Sequence, residues 1–326
     1  MSKKENNNTL VKNATFLMVA ALISKIIGML YKSPLTTLIG RESFACFQFA
    51  QNAYFILLMI ASFSIPQAVS KIMSERIAFK RYRDAQRVFK GALLYAVIAG
   101  GIAALICIFG ASILVPDNMA NARLALQMLA PTIFVSGILG VFRGYFQAYR
   151  NMLPTSISQI LEQIAVATVA LLASGFMVSH FANAGEDTLQ RWSAAGATMG
   201  TGAGVCTAFL FMLFVYKVNH KTIAKKIKND RVSVDESYRS IMKIILLIAA
   251  PIILSAFIYN VNGYINGVMY TSILGWRGVS NSLVKQNYAE YGFFMTLINI
   301  PLTLASTAPT SMMPEVSAQY AIGDLE

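Results

Sequence analysis

KRYRDAQRVFKGALLYAVIAGGIAALICIFGASILV, residues Lys80–Val115, decides the fold. Five cations (Lys80, Arg81, Arg83, Arg87 and Lys90) crowd its start, and the following stretch, Gly91–Val115, contains no Asp, Glu, Lys or Arg. A helix rises 1.5 Å per residue, so about 20 apolar residues cross the hydrocarbon core of a bilayer. Gly91–Val115 is long enough, and the cations mark the side from which it enters. Seven further apolar stretches of similar length follow the same rule: Ala14–Ile39, Phe44–Ile72, Leu124–Tyr149, Thr155–Ser179, Ser193–Tyr216, Ile241–Tyr270 and Tyr288–Met312. With the connecting segments assigned alternately to two sides, one side collects Lys3, Lys4, Lys12, Lys71, Arg76, the cluster Lys80–Lys90, Arg143, Arg150 and the basic residues of Lys217–Lys243. Those are twenty of the 27 cations; the other side has Arg41, Arg123, Arg191, Arg277 and Lys285. The positive-inside rule places the N-terminus, and after eight spans the C-terminus, in the cytoplasm. The expected location is a cell membrane crossed many times.

The composition agrees. Hydrophobic residues make up 56%, charged residues 13%, and the mean hydropathy is +0.56; a soluble domain has roughly 25% charged residues. The formal charge of +12 lies in short loops, where it sets topology and meets anionic inner-leaflet lipids, so no nucleic-acid partner is expected. Cys46, Cys107 and Cys206 each fall within an apolar stretch, and His180 and His220 lie far apart. Neither pattern suits a disulfide framework or a metal site. The first apolar stretch is too long for a cleavable signal and carries two lysines.

Shifting the chain by 235 positions lays Gly28 on Gly263, Gln51-Asn52 on Gln286-Asn287 and Ile65-Pro66 on Ile300-Pro301. Spans one and two thus match spans seven and eight, as a parallel repeat. The expected organisation is a six-helix transmembrane lobe over 1–220, an amphipathic cytoplasmic linker over 221–240 holding Ile223 and Ile227, and a partial second lobe over 241–326. Glu326 maps onto Gly91, where span three begins, so the expectation is a chain cut short in its second lobe, unable to transport alone, with the remaining helices following or supplied as a separate chain. Gly100, Gly101 and Gly110 in span three, and Gly196, Gly200 and Gly204 in span six, suit close helix packing. Pro66, Pro131, Pro251, Pro301 and Pro309 predict kinks or breaks.

Polar residues inside the spans are the candidate site. Lys25 lies near the middle of span one, where an isolated lysine costs about 2.5–3.5 kcal/mol on insertion scales. Lys25, Gly28 and Lys32 are spaced three and four apart, on one helix face. Two cations with a glycine between them suit an anionic ligand such as a phosphate; structurally, Lys32 can snorkel to headgroups and Lys25 can pair. Glu162 shares a stripe with Thr155, Ser158 and Gln159. It can pair with Lys25, bind a coupling cation, relay protons, or only fix packing. Span seven carries Ser255, Tyr259, Asn262 and Asn266, and span eight Asn299, Thr303, Ser306 and Thr310. Such stripes line a wet cavity or tie helices together.

The stretch FRGYFQAYRNMLPTSISQILEQ, Phe142–Gln163, resembles the signature region of the polysaccharide-export and lipid-flippase branch of the MOP superfamily. Its nearest subgroup holds stage V sporulation protein B and the MurJ-type lipid II flippases of Gram-positive bacteria. SKIIGMLYKSPLTTLIG (Ser24–Gly40), IPQAVSKIMSE (Ile65–Glu75) and INIP (Ile298–Pro301) resemble its other conserved stretches. The resemblance implies an all-α, MATE-like fold of two six-helix lobes around a cationic cavity. It implies alternating access carrying an undecaprenyl-diphosphate-linked sugar precursor across a bacterial plasma membrane, with Lys25 and Lys32 meeting the diphosphate. This chain departs from the group in having lysine where arginine is usual, and Val166 four residues after Glu162 where a basic residue is common.

The substrate-binding set expected is Lys25, Gly28, Lys32, Gln159, Glu162, Asn262 and Asn299, with no catalytic residue, no metal and no cofactor beyond coupling to a cation gradient or the membrane potential. A flippase is one reading. A cation-coupled drug exporter of the same superfamily would want more acid than Glu162. A non-transporting scaffold of a cell-envelope assembly is a third, and a membrane enzyme lacks any cluster of aspartates or histidines to act as base or ligand.

Overall fold

The computed structural model describes the backbone of residues 3–234 and 236–321, and the side chains of residues 16–320 except 60, 63, 235, 259, 260, 299, 300, 302–311, 313–315 and 318. Every regular element among the described residues is helical. In chain order these are α1 (Lys3–Leu30), α2 (Lys32–Ile39), α3 (Arg41–Leu58), a π-helical turn (Met59–Phe63), α4 (Ile65–Ala78), α5 (Tyr82–Phe109), α6 (Ala111–Leu114), a 3-10 turn (Asp117–Met119), α7 (Ala122–Met128), α8 (Ala130–Ala148), α9 (Leu153–Phe181), α10 (Glu186–Lys228), α11 (Tyr238–Trp276) and α12 (Asn281–Ala321).

Six stretches are long and apolar enough to cross a membrane: Phe16–Ile39, Tyr82–Phe109, Ala122–Ala148, Leu153–Phe181, Glu186–Lys228 and Tyr238–Trp276. They coincide with six of the eight spans expected from the sequence. The second expected span is α3 and α4 joined through the π turn, just ahead of Pro66 at the start of α4. A π turn and a proline both interrupt the i→i−4 ladder, which is why no single long helix forms there. The eighth lies within α12. Pro66, Pro131 and Pro154 each fall in the first positions of a helix, where the missing N–H costs nothing. Pro251 lies inside a continuous α11.

Two cores stack along the bundle. One gathers around α3, with Phe44, Phe47, Phe49 and Tyr54 against Leu126, Ile133 and Tyr288. The other joins α4, α5, α8 and α10 through Phe89, Phe142, Tyr145 and Phe146. Lipid tails are as apolar as leucine, so close contact rather than water exclusion drives helix association here. The tightest contact is α9 on α10. A Cβ at Gly200 would lie 2.6 Å from Val166 O, and one at Gly204 2.7 Å from Glu162 O.

The segment expected as an amphipathic linker over 221–240 begins as the end of α10. α10 runs without a break to Lys228, with Ile223 and Ile227 packed on the second core, because a helix end that can bury two isoleucines on protein gains more than one lying free. Irregular chain follows over residues 229–234 and 236–237. The basic segment around Lys80 is likewise mostly helical, leaving three residues between α4 and α5.

Two polar knots fasten α11 and α12 to the first ten helices. At the end near the basic loops, Asp84, fully buried, accepts from the N–H groups of Val234 (3.0 Å) and Glu236 (3.1 Å) and from Arg81 Nε (2.8 Å). Asp230 accepts from Arg83 N–H (2.7 Å), and Glu236 bridges Arg81 (2.6 Å) and Arg76 (3.2 Å). At the opposite end, Gln190 donates to Glu42 (2.8 Å) and accepts from the buried Lys285 (2.7 Å) and from Asn121 (3.0 Å). Ser282 donates to Glu42, and Asn121 also donates to Asp187 (2.9 Å).

Candidate anion site between the lobes

The first helix supplies the cations. α1 breaks only briefly at Tyr31 before α2 starts at Lys32. Lys25 is exposed on the bundle and makes no hydrogen bond or ion pair with any described residue. Lys32 is half-buried and donates to Thr296 Oγ1 of α12 at 2.8 Å, so it ties α2 to α12. Gly28, between them, faces α9: a Cβ there would lie 3.1 Å from Gln163 Oε1. Its place in the site is to let α9 approach α1.

α9 brings the acid. Glu162 Oε2 takes a 2.7 Å bond from Arg143 Nη2 of α8, and Arg143 Nε donates to Ser158 Oγ at 3.0 Å. Both side chains of the pair are four-fifths buried or more. Of the readings open for Glu162, pairing holds, and the partner is Arg143 rather than Lys25. Arg143, assigned above to a loop, lies inside α8. The helices α8 and α9 are joined by a four-residue turn, so residues flanking it face each other, and a signal for the pair was present within Phe142–Gln163. The consequence is electrostatic. The Glu162 charge is neutralised on its own side of the bundle, leaving the ammonium groups of Lys25 and Lys32 with no described carboxylate partner.

Unpaired polar atoms lie on the same two helices, α1 and α9. Ser24 Oγ on α1 and Gln159 Oε1 on α9 are buried with no hydrogen-bond partner among the described residues. Each sits one turn N-terminal to the Gly28–Gln163 contact, and buried polar atoms are nearly always satisfied. Gln159 therefore stays in the candidate set, with Ser24 added. Asn262 is exposed on α11 and Gly263 beside it has open space around its Cβ position. The side chain of Asn299 lies outside the described residues, as do those of Tyr259, Thr303, Ser306 and Thr310. Among the described residues no group of three or more His, Cys, Asp or Glu is placed to hold a metal.

Residues 10–318 match the family model described as "Polysaccharide biosynthesis protein". The chain is 25% identical to stage V sporulation protein B of Bacillus subtilis over 95% of its own length and 58% of that protein's. It is 23% identical to the lipid II flippase MurJ of the same organism over 98% of its length and 59% of the relative. It thus spans just under three fifths of either. Among solved structures, a MATE transporter in complex with MaD3S superposes with a TM-score of 0.70 at 15% identity, covering 98% of this chain and 67% of that one. A MOP superfamily transporter from Pyrococcus furiosus gives 0.66 at 15% identity, covering 96% and 65%. The helical bundle, its apolar spans and the family match agree: the chain is a polytopic membrane protein with the MATE-like fold and belongs to the polysaccharide biosynthesis protein family.

Proposed function

We propose that this chain works in a flippase that moves an anionic, lipid-linked sugar precursor from the inner to the outer leaflet of a bacterial plasma membrane by alternating access. The observation that carries the reading is the charge balance of the site. With Glu162 neutralised by Arg143, Lys25 and Lys32 present two uncompensated positive charges inside the membrane region, where a diphosphate is the complementary ligand. A cationic drug would meet net repulsion there, which sets this reading above the drug exporter. The names of the two Bacillus relatives point the same way. No step of bond-making is required of the protein, so its activity is binding and conformational exchange rather than catalysis.

In the proposed site Lys25 and Lys32 hold the diphosphate, and Gln159 and Ser24 offer hydrogen bonds to polar oxygens. Lys32 senses closure of the lobes through Thr296, and Asn262 and Asn299 line the second-lobe side. The proposed topology has the basic loops in the cytoplasm, with the membrane potential or a cation gradient as the driving force. The test is complementation of a flippase-depleted strain by this chain expressed together with helices that complete the second lobe. Lys25→Ala is expected to abolish growth at normal membrane abundance, whereas Lys25→Arg, which keeps the charge and adds a bidentate fork, is expected to support it. Full growth with Lys25→Ala would refute the assignment. Topology is read by labelling from outside: Glu186→Cys should react and Lys228→Cys should not.

A further inference from the structure

Along the seam between α5 and α11 runs a groove of about 1050 Å³, walled by Leu94 on one helix and by Met242, Leu246, Leu247 and Leu254 on the other. Its floor is set at Gly91, where a Cβ would lie 3.1 Å from Ile241 Cγ2. Leu247 and Leu254 are 63% and 59% exposed, so the groove opens sideways, toward lipid. At its polar end stand Arg239 and Lys243. Tyr238 is shared with a second cavity of about 360 Å³, lined by Arg83, Arg87 and Lys90. Lys90, Arg239 and Lys243 make no ion pair with any described residue.

We propose that this seam is a binding site for one anionic glycerophospholipid of the leaflet that the basic loops face. The phosphate sits among Arg239, Lys243 and Lys90, and the acyl chains lie in the groove. Charge complementarity selects the head: three cations that form no ion pair among the described residues, at one end of an apolar trough, match a phosphodiester. Length selects the tail. From Leu246 to Leu254 the helix rises about 12 Å, close to half of the ~30 Å hydrocarbon core. A leaflet-length acyl chain ends where the groove ends, whereas a polyprenyl chain longer than the bilayer would run past it. This lipid is resident, distinct from the cargo proposed above and independent of it.

The experiment is native mass spectrometry of the purified chain released from neutral detergent with equal amounts of phosphatidylglycerol and phosphatidylcholine. Phosphatidylglycerol is expected to be retained about tenfold over phosphatidylcholine. Each surface cation near an anionic lipid is worth about 1 kcal/mol, so an Arg239→Ala, Lys243→Ala double variant should lower phosphatidylglycerol retention roughly 30-fold. Both side chains are exposed, so folding is unaffected. Ala250→Trp, which fills the trough and leaves the charges, should lower retention of both lipids. Equal retention of the two lipids by the unaltered chain overturns the proposal, as does undiminished phosphatidylglycerol binding in both variants. Displacement of phosphatidylglycerol by equimolar undecaprenyl phosphate also overturns it, and would assign the groove to a polyprenyl lipid.

Discussion

The two polar knots that hold α11 and α12 are built from different bonds. In the knot near the basic loops the carboxylates of Asp84 and Asp230 accept from main-chain N–H groups of Val234, Glu236, Arg83, Val232 and Ser233. The donors are part of the backbone and cannot rotate away, so the linker is fixed to the start of α5. In the knot at the opposite end every bond described, from Gln190 to Glu42, Lys285 to Gln190, and Ser282 to Glu42, joins one side chain to another. Those bonds can exchange for water by rotamer changes alone. The comparison teaches that the second helical pair is anchored at one end and merely latched at the other.

The largest effect is expected from breaking the anchor. Asp84→Ala strips a fully buried carboxylate from two backbone donors and Arg81, and removing one partner of a buried charged network costs about 3–5 kcal/mol. Melting in detergent should fall sharply, and trypsin should cut at Arg231; an unchanged melting temperature would mean that the anchor is dispensable. Next comes the Arg143–Glu162 pair. Arg143→Ala leaves a carboxylate four-fifths buried and should cost about 3 kcal/mol, while the Arg143→Met, Glu162→Gln double variant should recover most of that. A double variant as unstable as the single would show that the pair is not coupled.

The latch should cost little and reveal motion. Lys285→Ala is expected to lower stability by about 1 kcal/mol and to make a cysteine at the buried Ala289 react with an outside reagent. No gain in labelling would argue that the latch is not where the lobes part. The smallest effect is with pH. Burial pushes the Asp230 carboxyl up, but hydrogen bonds from Ser233 Oγ and from the Arg83, Val232 and Ser233 N–H groups outweigh it and hold it well below the carboxylate range. A depressed folded value means that the stabilisation is present above the unfolded value near ~4 and drains away as pH falls below it. Protection of Arg231 from a protease should therefore be flat from pH 8 to 5 and weaken only in stronger acid. Asp230→Asn should lose protection at every pH.

The spans were legible because hydrophobic runs and basic loops are local signals. The six long apolar helices fall where hydropathy puts them, and the glycines of span six do meet α9. Gly101 of span three has open space about its Cβ position, since spacing alone does not say which glycine faces a neighbour. The cations Lys25 and Lys32 were visible for the same local reason. Arg143 as the partner of Glu162 was not read, because its distance from the helix end was judged by loop assignment rather than by the turn joining α8 and α9. Asp84, Asp230, Gln190 and Lys285 were missed altogether. Their distant partners lie 69 to 152 residues away in sequence, and a carboxylate that binds backbone N–H groups leaves no mark in composition.

One helix touches both knots. α10 begins with Asp187 and Gln190 in the latch and, 43 residues on, ends two residues before Asp230 in the anchor. At 1.5 Å per residue it is a rod about 65 Å long. Near its middle Gly200 and Gly204 rest directly on the α9 backbone, a contact too tight to slide. α10 has the parts of a lever: a fulcrum on α9, a short-range load at the latch, and a fixed end at the linker. Enlarging Gly200 would move the fulcrum and so change how far the latch end travels for a given tilt, without touching any charged residue.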